Sequence, residues 1–177
     1  MLCLLKSLVT ILSLWFFLQM DNLELKKSFL TSMRGVTSTV SVISAKLDDV
    51  RHAMTATSVI SLSMNPPSML VCVNKEASIH SVITLNSSFC INILAENQRD
   101  LAEVCSNSEE GESRFSEDSW KIKDSYVFNE RSLSNLFCEC TEILEHSTHT
   151  VFIGKVLEVN NNANQKPLLY GSGQYQI

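Results

Sequence analysis

The alternation of apolar and polar residues is clearest between Met54 and Met64, where it repeats every two residues as in a β-strand. One face of this predicted strand is mostly apolar and can join a core. The other face is rich in hydroxyl groups: Thr55, Thr57, Val59, Ser61 and Ser63. Hydroxyls both donate and accept hydrogen bonds, so this face suits a polar planar ligand or a phosphate. A solvated face of an antiparallel strand has the same pattern.

The rest of the chain predicts further strands and a few short helices. Strands are expected over residues 36–44, 68–73, 89–95, 133–144, 150–159 and 168–170. Helices are expected between Asp21 and Gly35, over 79–85 with Ser78 as cap, and over 97–104. Turns are expected over 46–51 and 160–164, and an exposed loop covering the site over 106–119. The absence of βαβ alternation and of any Gly-x-Gly-x-x-Gly favours a closed antiparallel barrel over a Rossmann fold.

Composition indicates one domain with a sizeable core. The chain has 177 residues, of which 45% are hydrophobic and 19% charged. The net charge of −5, without a basic cluster, argues against a nucleic-acid partner. An anionic ligand must therefore be held by local hydroxyls, backbone N–H groups or a few cations.

The cysteines favour a reducing compartment. There are six, at Cys3, Cys72, Cys90, Cys105, Cys138 and Cys140. The Cys138-Glu-Cys140 pair has no second pair at zinc spacing, which argues against a metal site. Alternate residues of a strand lie about 7 Å apart, poorly placed for a disulfide. All six are interpreted as reduced thiols of a cytosolic protein.

Residues 1–19 form a separate apolar segment. Its length is typical of a signal-peptide core and short for a membrane span, which needs about 20 apolar residues. No small-x-small cleavage site follows it. The interpretations are an upstream extension before a natural start at Met20, a targeting segment or anchor, and a packed helix. Of these interpretations the upstream extension is favoured, so a membrane-bound protein is not expected.

A family resemblance adds to this pattern. The run from Ala53 to Asn74 reads Ala-Met-Thr-Ala-Thr-Ser-Val-Ile-Ser-Leu-Ser-Met-Asn-Pro-Pro-Ser-Met-Leu-Val-Cys-Val-Asn. Further matching segments are Ser78-Ile-His80, 89–96, 149–157 and Pro167-Leu-Leu-Tyr170. On these residues the chain resembles the flavin reductase-like family of FMN-binding split barrels. Within it, the chain is similar to the branch of the reductase component of 4-hydroxyphenylacetate 3-monooxygenase.

The resemblance implies a mainly β fold for residues 20–177, a six-stranded antiparallel split β-barrel with a few short flanking helices. It implies the reduction of FMN or FAD by NADH or NADPH. Hydride transfer between two organic cofactors needs neither a protein nucleophile nor a metal. The sequence shows no catalytic triad, which is consistent with such a reaction.

The resemblance also implies which residues border the flavin. These are Thr55, Ala56, Thr57, Ser58, Ser61, Leu62, Ser63, Cys72, Asn74, Ser78, His80, Phe89, Asn92 and Tyr170. Asn74 can also cap the turn that follows it. Ser78 and His80 match a segment near the flavin phosphate, where a helix N-terminus would attract the anion. His80 can instead be an ordinary surface histidine, and Phe89 fits a core position better than a ring contact.

His149 matches the family histidine beside the isoalloxazine and nicotinamide. An imidazole there can orient the nicotinamide amide or stabilise charge on reduced flavin. The alternatives are a histidine in a hydrogen-bonded turn at a strand start, and His146 in the same role. Tyr170 can stack on a ring or pack in a dimer interface.

Two positions depart from the family pattern. Ala53 stands where the family usually has glycine, and the C-terminal segment from Gly171 to Tyr175 lacks the usual arginine. The second departure puts the affinity for NADH or NADPH in doubt.

The resemblance implies a cytoplasmic homodimer that supplies reduced flavin to a separate monooxygenase. Two other functions remain open from the sequence. One is a non-catalytic FMN-binding protein on the same barrel. The other is a membrane-anchored sensor or electron-transfer protein that uses residues 1–19.

Overall fold

The computed structural model describes residues 22–162 and 165–176, which fall into two compact units. In the smaller unit, a helix over 22–34 (α1) ends as predicted at Gly35, whose N–H donates to Ser32 O at 3.1 Å. The Ser172 N–H donates to Arg34 O at 2.8 Å in the same unit. The predictions for residues 1–19, including the domain boundary there, lie outside the described residues.

The larger unit, from Ser38 to Tyr170 and from Gln174 onward, is built mainly from β-strands. The strands are β1 Ser38–Thr39, β2 Ser41–Leu47, β3 Val50–Ala56, β4 Val59–Met64, β5 Pro67–Asn74, β6 Ser88–Ile93, β7 Trp120–Lys123, β8 Tyr126–Asn129, β9 Ser134–His146, β10 His149–Asn161, β11 Leu169–Gly171 and β12 Gln174–Gln176.

The strands form three sheets. The largest has the order β3-β2-β6-β9-β10-β5-β4, and the smaller ones are β1-β11-β12 and β7-β8. The pairings in the largest sheet are all antiparallel. The prediction of a mainly β fold is confirmed, but the main sheet has seven strands instead of six. Its edge strands β3 and β4 are not joined by a ladder in the described part of the chain, so barrel closure stays a prediction.

The predicted single strand over 54–64 is wrong. The chain leaves β3 after Ala56 and begins β4 at Val59, with Thr57 and Ser58 exposed between them. β3 pairs with β2 while β4 pairs with β5, at opposite edges of the sheet. A two-residue period continues unchanged through such a break, so the sequence pattern could not reveal it. The hydroxyl residues therefore do not form one continuous face.

A helix over 79–85 was also a wrong prediction. The segment after β5 consists of turns, with the His80 N–H donating to Ala77 O at 2.8 Å and the Val82 N–H to Ile79 O at 3.0 Å. Ile79, Val82 and Ile83 are buried in the core, and this packing fixes the path of the segment. Ser78 therefore has no helix to cap, and the argument for a phosphate at that helix N-terminus does not hold.

The segment after β6 contains more structure than the predicted helix and exposed loop. Helix α2 (Arg99–Ser106) lies close to its predicted position. A 3₁₀ segment (Ser108–Phe115) follows, interrupted by Gly111 at φ +51°. Its last two residues, Arg114 and Phe115, are buried. The β7–β8 hairpin, which the sequence analysis missed, comes next.

Two apolar clusters form the core. The first contains residues from the main sheet and the turns after β5, including Ile43, Val71, Ile79, Phe89 and Phe152. The second joins β2 and β3 to α2, the 3₁₀ segment and the β7–β8 hairpin, and includes Val40, Leu101, Phe115, Trp120 and Val127. A cleft opens where β3 and the end of β5 face α2 and the 3₁₀ segment.

Candidate functional site

A cavity of about 280 Å³ opens beside β3, the end of β5, α2 and the 3₁₀ segment. It is lined by Ala53, Met54, Thr55, Asn74, Glu76, Ala77, Ser78, Cys105, Ser106, Ser108 and Arg114. Pockets that hold a drug-sized molecule measure roughly 300–1,000 Å³. At about 280 Å³ this cavity lies just below that range, so it suits a part of such a molecule, such as one ring system or a phosphate.

Three predicted site residues meet at this cavity: Thr55, Asn74 and Ser78. The Thr55 hydroxyl donates to Ala102 O at 2.6 Å, which ties β3 to α2. The Asn74 Oδ1 accepts from the Glu76 N–H at 3.0 Å, so Asn74 caps the turn while its amide nitrogen can donate to a ligand. Ser78 is exposed, with its hydroxyl at the cavity wall.

Arg114 brings a positive charge to the same wall, and it is only 5% exposed. One terminal nitrogen donates to Ala53 O and the other to Asn107 O, both at 2.6 Å. Its Nε is buried without a hydrogen-bond partner in the described part of the chain. Both partners are backbone carbonyls, so neither carries a negative charge that would compensate the guanidinium.

This charge also affects neighbouring groups. The pKa of His52 lies below its usual value, first because the side chain is partly buried and then because Arg114 is near, while Glu112 acts in the opposite direction. Burial raises the pKa of the Cys105 thiol to about 12, although Arg114 opposes the rise. Cys105 therefore lines the cavity as a neutral thiol.

His149 lies at the sheet end that carries Asn74. It begins β10, and the register places it opposite Asn74 of β5 and His146 of β9. His149 is exposed, and its Nδ1 lies 2.9 Å from the Thr148 hydroxyl oxygen. It thus occupies a hydrogen-bonded turn at a strand start, next to the strand end that carries Asn74.

His80 is half-buried near this end. Its Nε2 lies 2.8 Å from the Thr150 hydroxyl oxygen, and its ring packs edge-on against Phe152 with centroids 5.7 Å apart. Lys75, on the same turn, forms an ion pair with Glu145 at 2.8 Å. His80 therefore helps to hold the turn that supplies Asn74 and Ser78.

The hydroxyls of β4 lie away from the cavity. The register sets Ser61 opposite Met69 and Ser63 opposite Ser68, with an irregularity at Leu62. Met69 is five residues from Asn74 on β5, a separation of roughly 17 Å at 3.3 Å per residue. Thr57 and Ser58 lie between β3 and β4, and Ser58 O accepts a hydrogen bond from the Cys72 N–H at 3.1 Å. A single ligand would have to extend along β5 to contact both ends.

Four other predicted residues are held by their own packing. Phe89 is fully buried in the first core cluster, the alternative that the sequence favoured. Ala56 is buried there as well, and Cys72 is half-buried on β5. Tyr170 packs edge-on against Tyr175, with centroids 5.3 Å apart.

Asn92 is fully buried, and its amide is used entirely inside the protein. It donates to Val42 O and Ser44 Oγ, each at 2.8 Å. It also accepts from the Asn129 N–H and from Asn135 Nδ2, each at 2.9 Å. Its role is to join β6 to neighbouring strands, because no free donor or acceptor is left for a ligand at the cavity.

The sequence analysis missed Arg114, Met54 and the lining residues of α2 and the 3₁₀ segment. A signal for Arg114 was present: Arg114-Phe115 interrupts a polar, acidic stretch shortly before Trp120. The Trp120 Nε1 donates to Arg114 O at 3.0 Å, and Phe115 packs against Trp120. An isolated basic–aromatic pair in a polar loop indicates an anchored segment.

Within residues 22–162 and 165–176, no group of three or more His, Cys, Asp or Glu side chains is arranged to hold a metal ion. Within the same residues, no helix is both long and apolar enough to cross a bilayer.

The fold and the site define a mainly β protein with a cleft lined by hydroxyl, amide and arginine side chains, and comparison with known proteins gives the family. The model of the flavin reductase like domain matches residues 33–177. The chain belongs to this family.

Relatives and solved structures agree with this assignment. The reductase component of an FADH₂-dependent resorcinol hydroxylase from Rhizobium sp. is 35% identical over 84% of this chain and 85% of its own. An FMN reductase (NADH) from Agrobacterium fabrum is 32% identical over 72% and 74%. The flavin reductase component of a bacterial two-component tryptophan halogenase superposes with a TM-score of 0.78 at 26% identity, covering 85% of this chain and 96% of that one.

The donor set of the cavity fits a flavin. The Asn74 amide and the Ser78 and Ser108 hydroxyls can bond to the polar edge of a ring or to a phosphate, and Met54 and Ala77 supply apolar surface. Arg114 adds a positive charge to the same wall, which suits the phosphate of a flavin nucleotide. The observed residues are therefore suited to this group.

Proposed function

We infer that this chain is an NAD(P)H:flavin oxidoreductase, which transfers a hydride from a nicotinamide to FMN or FAD. The observation that carries this conclusion is similarity along most of the chain, at 35% and 32% identity, to a reductase component and to an NADH-dependent FMN reductase. The cavity supports it with donors suited to a flavin.

The protein's part in such a reaction is to bind and orient. When bound, the flavin supplies the ring that accepts the hydride. We propose that Asn74 and Ser78 donate hydrogen bonds to it, and that Met54 and Ala77 shield one side of it from water. Thr55 acts differently, because its hydroxyl is bonded to α2 and fixes the strand that forms the cavity floor.

We propose that His149 orients the nicotinamide. It is exposed at the open end of the sheet, opposite Asn74 in the register, so a second cofactor stacked on the first would reach it from solvent. The Thr148 hydroxyl next to its Nδ1 restrains the ring.

The partner is proposed to be a separate flavin-dependent monooxygenase. The similar proteins include reductase components of a resorcinol hydroxylase and of a 4-nitrophenol monooxygenase. Reduced flavin would leave the open cavity and pass to that enzyme. A cytoplasmic location is proposed as well, since the five described cysteines are all free thiols.

A homodimer is also proposed. β4 is an edge strand on which Ile60, Leu62 and Met64 are 62%, 51% and 85% exposed. An open edge with exposed apolar side chains is typical of a surface that another chain covers.

The test of the function is an assay of NADH and NADPH oxidation with FMN, FAD or neither, followed by the loss of the reduced nicotinamide absorbance under anaerobic conditions. Flavin-dependent oxidation of the nicotinamide is expected with at least one combination of NADH or NADPH and FMN or FAD. If FMN binds but oxidation stays at the protein-free rate, the chain is a non-catalytic flavin-binding protein.

His149→Ala is expected to raise KM for the nicotinamide and leave the Kd for flavin unchanged.

A further inference from the structure

In the part of the chain that the structure describes, the buried guanidinium of Arg114 has no counter-ion. The five ion pairs of the described residues involve other cations, and no carboxylate oxygen lies within 4.0 Å of Arg114 among those residues. Its partners are the carbonyl oxygens of Ala53 and Asn107. A buried charge is costly unless it is paired, so this position favours the binding of a negative charge.

The location of Arg114 favours the binding of that negative charge inside the cavity. Arg114 lines the cavity, and two further hydrogen-bond donors, the Asn74 amide and the Ser78 hydroxyl, line it as well. Its Nε is buried without a partner in the described part of the chain, so the guanidinium has only neutral carbonyl oxygens as acceptors there. The carboxylate of Glu76, which also lines the cavity, is exposed, so solvent screens its charge.

The surroundings hold Arg114 in place. The Trp120 Nε1 donates to its backbone oxygen, and Phe115 packs on Trp120 in the second core cluster. Arg51 stacks over the Phe115 ring and pairs with Glu112. A fixed cation does not lose side-chain freedom when a ligand binds, so its attraction for an anion is fully available.

We propose that Arg114 binds an anionic oxygen of the flavin nucleotide in this cavity and that the cavity is an anion subsite of the reductase. The proposal rests on the proposed flavin-reductase function. Two parts of the ligand share this chemistry: the phosphate tail, and the ring edge once hydride transfer from the nicotinamide has given it the negative charge. Aligned donors and a buried cation suit either one.

The experiment measures Kd for FMN and for riboflavin, which lacks the phosphate, by fluorescence titration with wild type, Arg114→Gln and Arg114→Lys. Hydrogen bonds to charged groups contribute substantially to binding, so Arg114→Gln is expected to weaken the binding of FMN by roughly 10- to 100-fold. Arg114→Lys, which keeps the charge, is expected to lose less. Arg131→Gln is the matched control, since it removes an exposed arginine that does not line the cavity.

These measurements distinguish the phosphate from the reduced ring as the group that Arg114 binds. A loss for FMN without a loss for riboflavin identifies the phosphate. If Arg114→Gln binds both oxidised flavins as tightly as wild type does, and the reduction potential of its bound FMN is more negative than in wild type, the reduced ring is identified. Unchanged affinity and potential in a folded Arg114→Gln overturn the proposal. Failure of the wild type to bind any flavin would instead contradict the proposed function.

A second pair of variants covers the case in which Arg114→Gln does not fold. Ser108 is exposed and lines the same cavity, so Ser108→Asp places a carboxylate beside Arg114 while Ser108→Asn has the same shape without the charge. Ser108→Asp is expected to bind FMN at least about 10-fold more weakly than Ser108→Asn. Equal FMN affinity of these two variants, together with an equal reduction potential of their bound FMN, would overturn the proposal.

Discussion

Burial sets the chemistry of the cysteines in this protein. Cys90, Cys105 and Cys138 are at most 2% exposed, and burial is the main cause of the raised pKa of each thiol. For Cys105 and Cys138 the pKa reaches about 12. Thiols in this state are poor nucleophiles, so they act as small apolar groups that fill the core.

This burial predicts a loss of stability at alkaline pH. Folding raises the pKa of Cys138 from 9.0 to about 12, so the stabilisation is complete below pH 9 and is lost as the pH rises towards 12. Between roughly pH 8 and pH 10, each such thiol lowers the free energy of unfolding by about 1.4 kcal/mol. Urea unfolding at both pH values measures the change.

Cys138→Ala is expected to be less stable than wild type at both pH values and to show a pH difference smaller by about 1.4 kcal/mol. Leu136→Ala, two residues away on β9, is the control, because it removes apolar volume without removing a titrating group. A Cys138→Ala variant with the full wild-type pH difference would contradict the assignment.

At the scale of elements, the β9–β10 hairpin organises the main sheet. Its two 13-residue strands pair along their whole length, with two register shifts. Gly154 lies at one shift, where a Cβ would clash with the Phe89 ring and lie 2.9 Å from the Cys138 Cβ. The hairpin also carries His149 to the end of β5, so its turn helps to define the open end of the candidate site.

The turn of this hairpin contains a strained residue. Ser147 has φ +50°, a left-handed conformation that costs a non-glycine residue about 1–2 kcal/mol. Ser147→Gly removes this strain but adds freedom to the unfolded chain, so it is expected to raise the free energy of unfolding by about 0.5 kcal/mol. Chemical denaturation measures the difference.

The neighbouring position provides the matched control. Thr148 is not among the residues with positive φ, so Thr148→Gly gains no relief and is expected to lower the free energy of unfolding by about 0.5–1 kcal/mol. Changes of the same sign in the two variants would show that the turn strain does not contribute as described.

At the scale of the whole molecule, the apolar edge of β4 connects the fold to assembly. The double variant Ile60→Glu, Met64→Glu tests the proposed homodimer. Wild type is expected to sediment as a dimer and the variant as a monomer, because the new charges would be buried in the interface. Sedimentation equilibrium measures the mass of each.

Ile122→Glu on β7 is the control for adding charge to an exposed apolar position, since Ile122 is 57% exposed. It is expected to leave the dimer intact. A monomeric wild type, or a double variant that still dimerises, would refute the interface.

Much of the architecture followed from local pattern. Long alternating runs predicted β9 and β10, and Asn65-Pro66-Pro67 marked the end of one strand before β5. The break at Thr57 and Ser58 did not follow, because a strand that changes partners keeps its two-residue period. The turns after β5 did not follow either, because burial of Ile79 and Ile83 decided the path there.

For the site, the sequence by itself determined the kinds of residue available and, through family resemblance, placed Thr55, Asn74 and Ser78 in it. Only the tertiary structure decided which of the predicted residues meet. It moved Ser61 and Ser63 along β5, enclosed Asn92 in the core and brought Arg114 from a polar segment to the cavity wall. The physical reason is that composition and period are local properties, whereas burial and charge compensation depend on strands and loops distant in the chain.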